Sequence, residues 1–309
     1  MNTLRQAALD YLAMRRSLGF KLQRPAPLLF NFITFMERHR ATYITVPLAT
    51  AWAKQPADAQ PATWAQRLSY VRTFACYRSA SDPRTQVPPP DLLPFRPKRA
   101  RPYLYSNREI RDLLRAALQL QYGLQPWTYY CVLGLLSVSG LRVGEAQNLT
   151  LRDLDLKAGV LTVRNAKFGK DRLVPLHRST CRVLSRYLAR RQRAFVTGAP
   201  SDYLFVSGRG NRLDGGSLRK TFYRLSRKIG LRAPGARHGP RLHDLRHRFA
   251  SQTLLRWYRA GEDPERRLPT LSAYLGHVHW SDTYWYLSAM PELMREAMSR
   301  LERRWESRP

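Results

Sequence analysis

Carboxylates are scarce in this sequence of 309 residues: 22 Asp and Glu face 53 Lys and Arg, a formal net charge of +31. A compact fold carrying that excess repels itself unless a polyanion neutralises it, and a nucleic-acid backbone supplies both the charge and much of the affinity. Cysteine is sparse too. Cys76, Cys131 and Cys181 lie far apart, with neither metal-ligand spacing nor a disulfide framework. Each is expected to be a small buried apolar residue in a reducing, cytoplasmic compartment. No apolar run approaches the roughly 18 residues of a membrane span, and the opening MNTLRQAALDYLAMRRS lacks a signal-peptide core, so no membrane role is expected. Gly208, Gly210, Gly215 and Gly216 form a glycine-rich stretch without a following GK[ST], which argues against a nucleotide-binding loop. No cofactor is expected, and no carboxylate cluster suggests a bound metal. What the sequence has is an ordinary globular composition, 44% hydrophobic and 11% aromatic, over a length sufficient for two domains.

Apolar spacing predicts helices over 3–18, 24–39, 46–54 and 61–79, an all-helical domain covering residues 1–84. Arg67, Arg72 and Arg78 stand on the last of these helices as candidate backbone contacts. Residues 85–104, TQVPPPDLLPFRPKRARPYL, read as an extended basic linker, because the prolines block regular structure and the basic run cannot form a core. Arg96, Lys98, Arg99 and Arg101 are its candidate DNA contacts. A second domain over 105–309 is predicted to be mainly helical with a small antiparallel sheet. Ser106 and Glu109 form a capping box for a helix over 107–120. An apolar helix follows over 127–138, then strands over 159–166 and 171–176 flanking the turn at Phe168–Gly169. Later come a helix over 178–194, a short strand over 203–206, and helices over 217–229, 243–260, 267–275, 280–287 and 290–304.

The chemistry-bearing residues fall into five short motifs. Arg142 lies in SGLRVGE, with Glu145 three residues on and so on the same helical face, suited to orient the guanidinium. Lys167 sits in AKFGKDRLVP at a hairpin turn, with Lys170 and Arg172 behind it as candidate DNA contacts. His243 and Arg246, three apart in LHDLRH, share a helical face, while Asp244 is placed to cap that helix. His277 closes YLGH. Tyr284 and Tyr286 flank Trp285, and either hydroxyl would need a polarised phosphate to attack, since free tyrosine has a pKa of roughly 10. Arginines at non-bridging oxygens supply that polarisation in the transition state.

These motifs, in this order, resemble those of the tyrosine recombinases of the phage integrase family over residues 105–288, and more loosely through the family's core-binding domain before it. The resemblance implies an all-helical core-binding domain followed by a tyrosine-recombinase catalytic domain. It selects Tyr286 over Tyr284 as the nucleophile, with Thr283 also fitting. By the resemblance, Tyr286 attacks the scissile phosphate of duplex DNA to give a 3′-phosphotyrosyl bond, and Lys167 protonates the leaving 5′-hydroxyl. Arg142, Arg246 and His277 stabilise the phosphorane, and His243 assists proton transfer from Tyr286. Glu145 supports Arg142. Four protomers would hold two specific recombination sites, with or without a second recombinase, and pass through a Holliday junction. A type IB topoisomerase and a non-cleaving DNA-binding accessory protein are the rival classes. Two departures stand out. Residues 256–269, RWYRAGEDPERRLP, suggest a lengthened loop before the His277 helix, and Arg248 occupies a position where small hydroxyl residues are common. The absence of an arm-type domain ahead of residue 1 points to the smaller Xer-like or transposon-encoded type.

Overall fold

The computed structural model describes residues 3–93, 101–164, 171–195, 198, 200–236, 238–277, 279, 282–283, 286 and 291–306. The chain divides into two compact units, Met1–Ala100 and Arg101–Pro309.

The first unit is built from α1 (Leu4–Ser17), α2 (Pro25–Arg38), α3 (Val46–Lys54) and α4 (Pro61–Ser79). Each helix start has a local cause. Thr3 and Thr45 accept the backbone N–H of Gln6 and Leu48, and proline occupies the first turn of α2, α3 and α4, where no intrahelical donor is lost. Leu4, Ala8, Tyr11 and Leu12 bury one stripe of α1 against Phe32, Ile33 and Met36 of α2, Trp52 of α3, and Leu68, Val71 and Phe74 of α4.

Packing also claims the arginines that the sequence marked for DNA. Arg67 lies flat over the Trp52 ring at 3.9 Å and donates to Trp52 O at 2.9 Å. Arg72 donates to the carbonyls of Pro88, Pro89 and Pro90, which carry no competing N–H of their own. Arg78 is buried and pairs with Asp82 at 3.3 Å. In this structure the hydrogen bonds of all three are made within their own unit. Cys76 departs from expectation. It is exposed, one residue past the buried Ala75 and so rotated off the core stripe of α4.

The second unit opens with α5 (Asn107–Leu118), whose capping box is present: Glu109 N–H donates to Ser106 Oγ at 3.2 Å and Ser106 N–H to Glu109 Oε2 at 2.7 Å. Then come α6 (Gln125–Ser139), α7 (Val143–Asn148), and a three-stranded antiparallel sheet of β1 (Leu154–Asp155), β2 (Val160–Val163) and β3 (Arg172–Pro175). Leu161 faces Val174 and Val163 faces Arg172 across β2 and β3. Helices α8 (Arg178–Ala194), α9 (Gly215–Lys228), α10 (Leu242–Arg259), α11 (Pro264–Leu275) and α12 (Pro291–Glu306) follow among the described residues; most of the helix expected over 280–287 lies outside them. The short β1 and α7 were not anticipated, since two to six residues carry no readable period. The strand expected over 203–206 reduces to single bridges, Thr150 with Tyr203 and Val206 with Arg212.

Helix α6 is buried on nearly every face and forms the spine of the core. Residues 256–269 do not form the long loop expected of them. Arg256–Arg259 finish α10, and Pro264 starts α11 at its first turn, with Asp263 accepting from Glu265 N–H at 2.9 Å. Arg248 pins α10 to the start of the unit by donating to Tyr105 O at 2.7 Å and to Asn107 Oδ1. Among the described residues of α12, Arg300 donates to Glu262 O at 2.9 Å and to Tyr258 O, and Glu296 pairs with Arg259 of α10 at 3.2 Å. Met294, Met298 and Trp305 are left exposed.

Candidate active site

Two glycines in left-handed conformation set the site's geometry. Gly140, at φ 61°, ends α6, and a Cβ there would meet Phe249 Cδ1 at 2.5 Å. Gly276, at φ 65°, ends α11, and a Cβ there would meet Arg172 Nη1 at 3.1 Å and Arg142 Nη1 at 3.4 Å. The two turned chain ends therefore leave carbonyls aimed at cationic side chains; a larger residue would clash with Phe249 at position 140 and, at 276, would be strained by the positive φ and would press on the two arginines.

Arg142 follows the first break and leads into α7. Its backbone N–H donates to Glu145 Oε2 at 2.9 Å, its Nη1 to Glu145 Oε1 at 2.8 Å, and its Nη2 to Gly276 O at 2.8 Å. Glu145 also receives Arg172, at 3.1 Å from Nη1 and 2.7 Å from Nη2, while Arg172 Nε donates to Tyr274 O at 2.7 Å. A carboxylate has about four acceptor positions, and these four bonds fill them. Burial alone would raise the Glu145 pKa. The Arg172 hydrogen bonds and charge, with those of Arg142, overcome it and hold the carboxyl down at about 2.

Arg246 comes from the middle of α10 and is almost wholly buried, at 2% exposure. Its Nη1 donates to Gly140 O at 2.7 Å and its Nη2 to Leu275 O at 2.6 Å. Both candidate phosphate arginines are thus anchored to the same turn at 275–276. Burial, followed by the neighbouring Arg142 charge, lowers the Arg246 pKa to about 10, so the guanidinium remains charged near neutrality.

Around Arg246 lie the aromatic groups. Tyr286 is 3% exposed and hydrogen-bonds the Arg246 guanidinium. Its ring stacks on His277, centroids 5.9 Å apart and planes 21° apart, and tilts against His247 at 5.4 Å. His247 in turn meets His243 edge-on at 4.7 Å. Burial raises the Tyr286 pKa, and the Arg246 charge and hydrogen bond oppose that rise without cancelling it. His277 Nδ1 lies 2.7 Å from the buried Thr283 hydroxyl. Burial, then Arg246 and Arg142, depress the His277 pKa to about 4. His243 keeps an exposed edge, yet lost hydration and Arg246 lower its pKa as well. Asp244 caps α10 as expected, accepting Arg241 N–H at 2.8 Å.

The structure therefore brings together Arg142, Glu145, His243, Arg246, His277 and Tyr286. Lys167 and Lys170 lie outside the described residues, as do Arg96, Lys98, Arg99 and Tyr284; Arg101 is described and exposed. Arg172 is drawn into the site. The sequence placed it behind the hairpin as a DNA contact, but its guanidinium is spent on Glu145 and Tyr274 O, with only 11% of the side chain exposed. His247, which the sequence motifs did not single out, also joins the site through its contact with Tyr286. Its spacing of four from His243 on α10 was the available signal.

The sequence pattern of the Phage integrase family matches residues 105–292. The chain is 60% identical over 313 residues to y4rB of Sinorhizobium fredii, an integrase/recombinase by name, covering 100% of both chains. It is 35% identical over 229 residues to the tyrosine recombinase XerD of Pseudomonas aeruginosa, covering 72% of this chain and 69% of that one. Among solved structures, the Tn1549 transposon integrase in complex with transposon right-end DNA superposes with a TM-score of 0.64 at 17% identity, covering 97% of this chain and 99% of that one. That last likeness extends the shared fold across both units. The sequence match spans well over half of the chain, and the site holds its arginines, histidines and tyrosine together, so this chain belongs to the phage integrase family and is a tyrosine site-specific recombinase.

Proposed function

We propose that Tyr286 is the nucleophile with which this chain cuts and rejoins duplex DNA at specific sites. The observation that carries the assignment is the buried Tyr286, its ring stacked on His277 and its hydroxyl under the influence of Arg246, whose Nη1 and Nη2 are fixed on Gly140 O and Leu275 O. A scissile phosphate entering here meets Arg142 and Arg246 already oriented, so little reorganisation is needed as charge builds on its oxygens. The tyrosine oxygen attacks phosphorus, the bond to the 5′-oxygen breaks, and a 3′-phosphotyrosyl ester forms. The tyrosine proton passes to His243, and Lys167 protonates the leaving 5′-oxygen. With the Thr283 hydroxyl donating to His277 Nδ1, the His277 Nε2–H remains to donate to a non-bridging oxygen. The ester conserves the phosphodiester's energy, so a 5′-hydroxyl reverses the step without ATP. Domain roles follow the sequence: residues 1–84 bind the core site, 85–104 link, and 105–309 carry the chemistry.

The same reading includes assembly. Four protomers on two synapsed sites, with or without a second recombinase, would exchange strands through a Holliday junction. Support comes from α12, among whose described residues Arg300 and Glu296 bond to residues 258–262 of the same chain while Met294, Met298 and Trp305 are exposed, a surface suited to a neighbouring copy. The test of the nucleophile is direct. Tyr286→Phe should bind DNA like the parent and form no SDS-resistant protein–DNA adduct. Adduct retained by Tyr286→Phe and lost by Tyr284→Phe would transfer the role to Tyr284.

A further inference from the structure

The active site leaves a strongly charged surface of the second unit, on α8, unused. Arg178, Arg182, Arg186 and Arg190 recur every four residues along α8, and Arg193 extends the row. All five are exposed, and α8 contains no acidic residue. A four-residue step rises about 6 Å, so the first four make a continuous ridge about 18 Å long. Among the described residues none of the five has a carboxylate partner. Arg190 lies over the Trp127 ring at 4.3 Å, a contact that orients its guanidinium without neutralising it. By contrast, Arg108 and Arg115 of α5 flank Asp112, and Arg295 of α12 faces Glu292. Like charges four apart destabilise a helix. The inward face of α8 is conventional, with Leu184 and Tyr187 in the core, so packing does not require arginine on the outer face. Arg191 does serve packing: it is buried and donates to Ser201 O and Tyr203 O.

The ridge is remote from Tyr286. The site sits at the C-terminal end of α6, at Gly140, and at the first residue of β3, Arg172. Helix α8 attaches to the opposite ends of both elements. Tyr187 reaches Thr128 and Arg190 reaches Trp127 in the first turn of α6, while Cys181 lies beside Gly159 and Leu176, beyond the far end of β3. The length of α6, about 20 Å, separates the two regions. The row therefore stands apart from the residues gathered around Arg142 and Arg246.

We propose that the α8 ridge binds the backbone of a second stretch of duplex DNA, separate from the stretch held at Tyr286. Arginine suits the role because its planar fork pairs with phosphate in two-bond fashion. The row's linear form suits a polyanion with evenly spaced charge rather than a compact anion. Contacts of this kind carry no base sequence, so the ridge would take flanking DNA irrespective of the recombination site. The inference rests on the chain acting on DNA, but not on Tyr286 being the nucleophile.

The test compares two full-length variants that lose equal charge. One carries Arg178→Gln, Arg182→Gln and Arg186→Gln, leaving the Arg190 stack on Trp127 intact. The other carries Arg108→Gln, Arg111→Gln and Arg115→Gln on α5. Circular dichroism and thermal melting establish that both fold. Protein loaded on an immobilised random-sequence duplex is then asked to capture a second, labelled duplex across a salt series. For the ridge variant, capture should fall at least about tenfold, and the slope of log affinity against log salt should flatten by about 2.7, at roughly 0.9 per lost phosphate contact. The α5 variant should capture like the parent. Equal loss in both variants would reduce the ridge to general charge. Unchanged capture in the ridge variant would overturn the proposal, leaving a solvated face or a dock for an acidic polypeptide. Adduct formation by Tyr286, measured in parallel, should be unaffected by the ridge substitutions, so the two readings fail separately.

Discussion

Glu145→Gln isolates the carboxylate that holds two arginines together. The amide keeps the shape of the side chain but replaces one acceptor oxygen by a donor NH2, which must point at a guanidinium. Of the four bonds Glu145 accepts, from Arg142 N, Arg142 Nη1 and both Arg172 Nη atoms, at least the two on the substituted atom are lost. Breaking a buried pair from one side typically costs about 3–5 kcal/mol. An independent measure comes from proton linkage. The carboxyl drops from its ordinary 4.5 to about 2 on folding, and at ~1.4 kcal/mol per unit that is worth at most about 3 kcal/mol. The side chain is only 9% exposed, so solvent screening trims this modestly. A loss of roughly 2–4 kcal/mol is expected, read from urea unfolding at fixed m-value. The sign gives a second check. Because the folded pKa lies below the unfolded one, Glu145 stabilises the fold fully above pH 4.5 and loses that contribution as pH falls toward 2. The gap between parent and variant should therefore be constant at neutral pH and close progressively in acid, with other carboxylates cancelling in the difference. A gap under about 0.5 kcal/mol at pH 7, or one that does not narrow below pH 4.5, would refute the clamp as the source of the site's rigidity.

Three further outcomes follow from the same geometry. Arg246→Lys cannot span Gly140 O and Leu275 O with one ammonium; it should cost about 1–3 kcal/mol for the carbonyl left bare and slow single-turnover cleavage about 10²–10³-fold, measured as adduct formation. His277, held at about 4 chiefly by burial and then by Arg246 and Arg142, should show no ring titration by NMR near its usual 6.5 in DNA-free protein. Its folded pKa lies below the unfolded one, so its contribution is full above pH 6.5 and declines as pH falls toward 4, by an amount reduced because the ring is only partly buried. Truncation after Ala289 should leave single-site binding intact and weaken capture of a second site. An unfolded truncated monomer would instead assign α12 to its own domain, and normal recombination would make the helix dispensable.

The fold was legible wherever local chemistry is strong. Both ends of α3 and of α4 coincide with expectation, and the capping box at Ser106 and Glu109 was readable because its two hydrogen bonds involve residues three apart. The site was legible as a set of residue types in order. What stayed hidden was which cations are consumed internally. Arg67, Arg72, Arg78 and Arg172 look identical in sequence to arginines available for phosphate, and only tertiary placement shows Trp52, the Pro88–Pro90 carbonyls, Asp82 and Glu145 occupying them. The arginine ridge of α8 is the converse case. Its fourfold spacing stands plainly in the sequence, but its distance from the site depends on which ends of α6 and β3 the helix meets.

The anchoring carbonyls also explain how a site this crowded with positive charge survives without DNA. Arg142, Arg172 and Arg246 would repel one another if bare, yet each guanidinium donates to backbone carbonyls of the 274–276 segment, and Glu145 neutralises one charge between the first two. Carbonyl dipoles hold the guanidinium geometry without neutralising it, so a net positive field persists where phosphate must sit. In this state that field does not suffice to activate Tyr286, whose pKa burial still raises. An incoming phosphate would pair with the arginines, and Tyr286 would have to shift its ring from its packing on His247 and His277 to bring its oxygen to phosphorus. Reactivity would then be conditional on DNA being present, which spares the tyrosine from serving as a nucleophile when no scissile phosphate is bound.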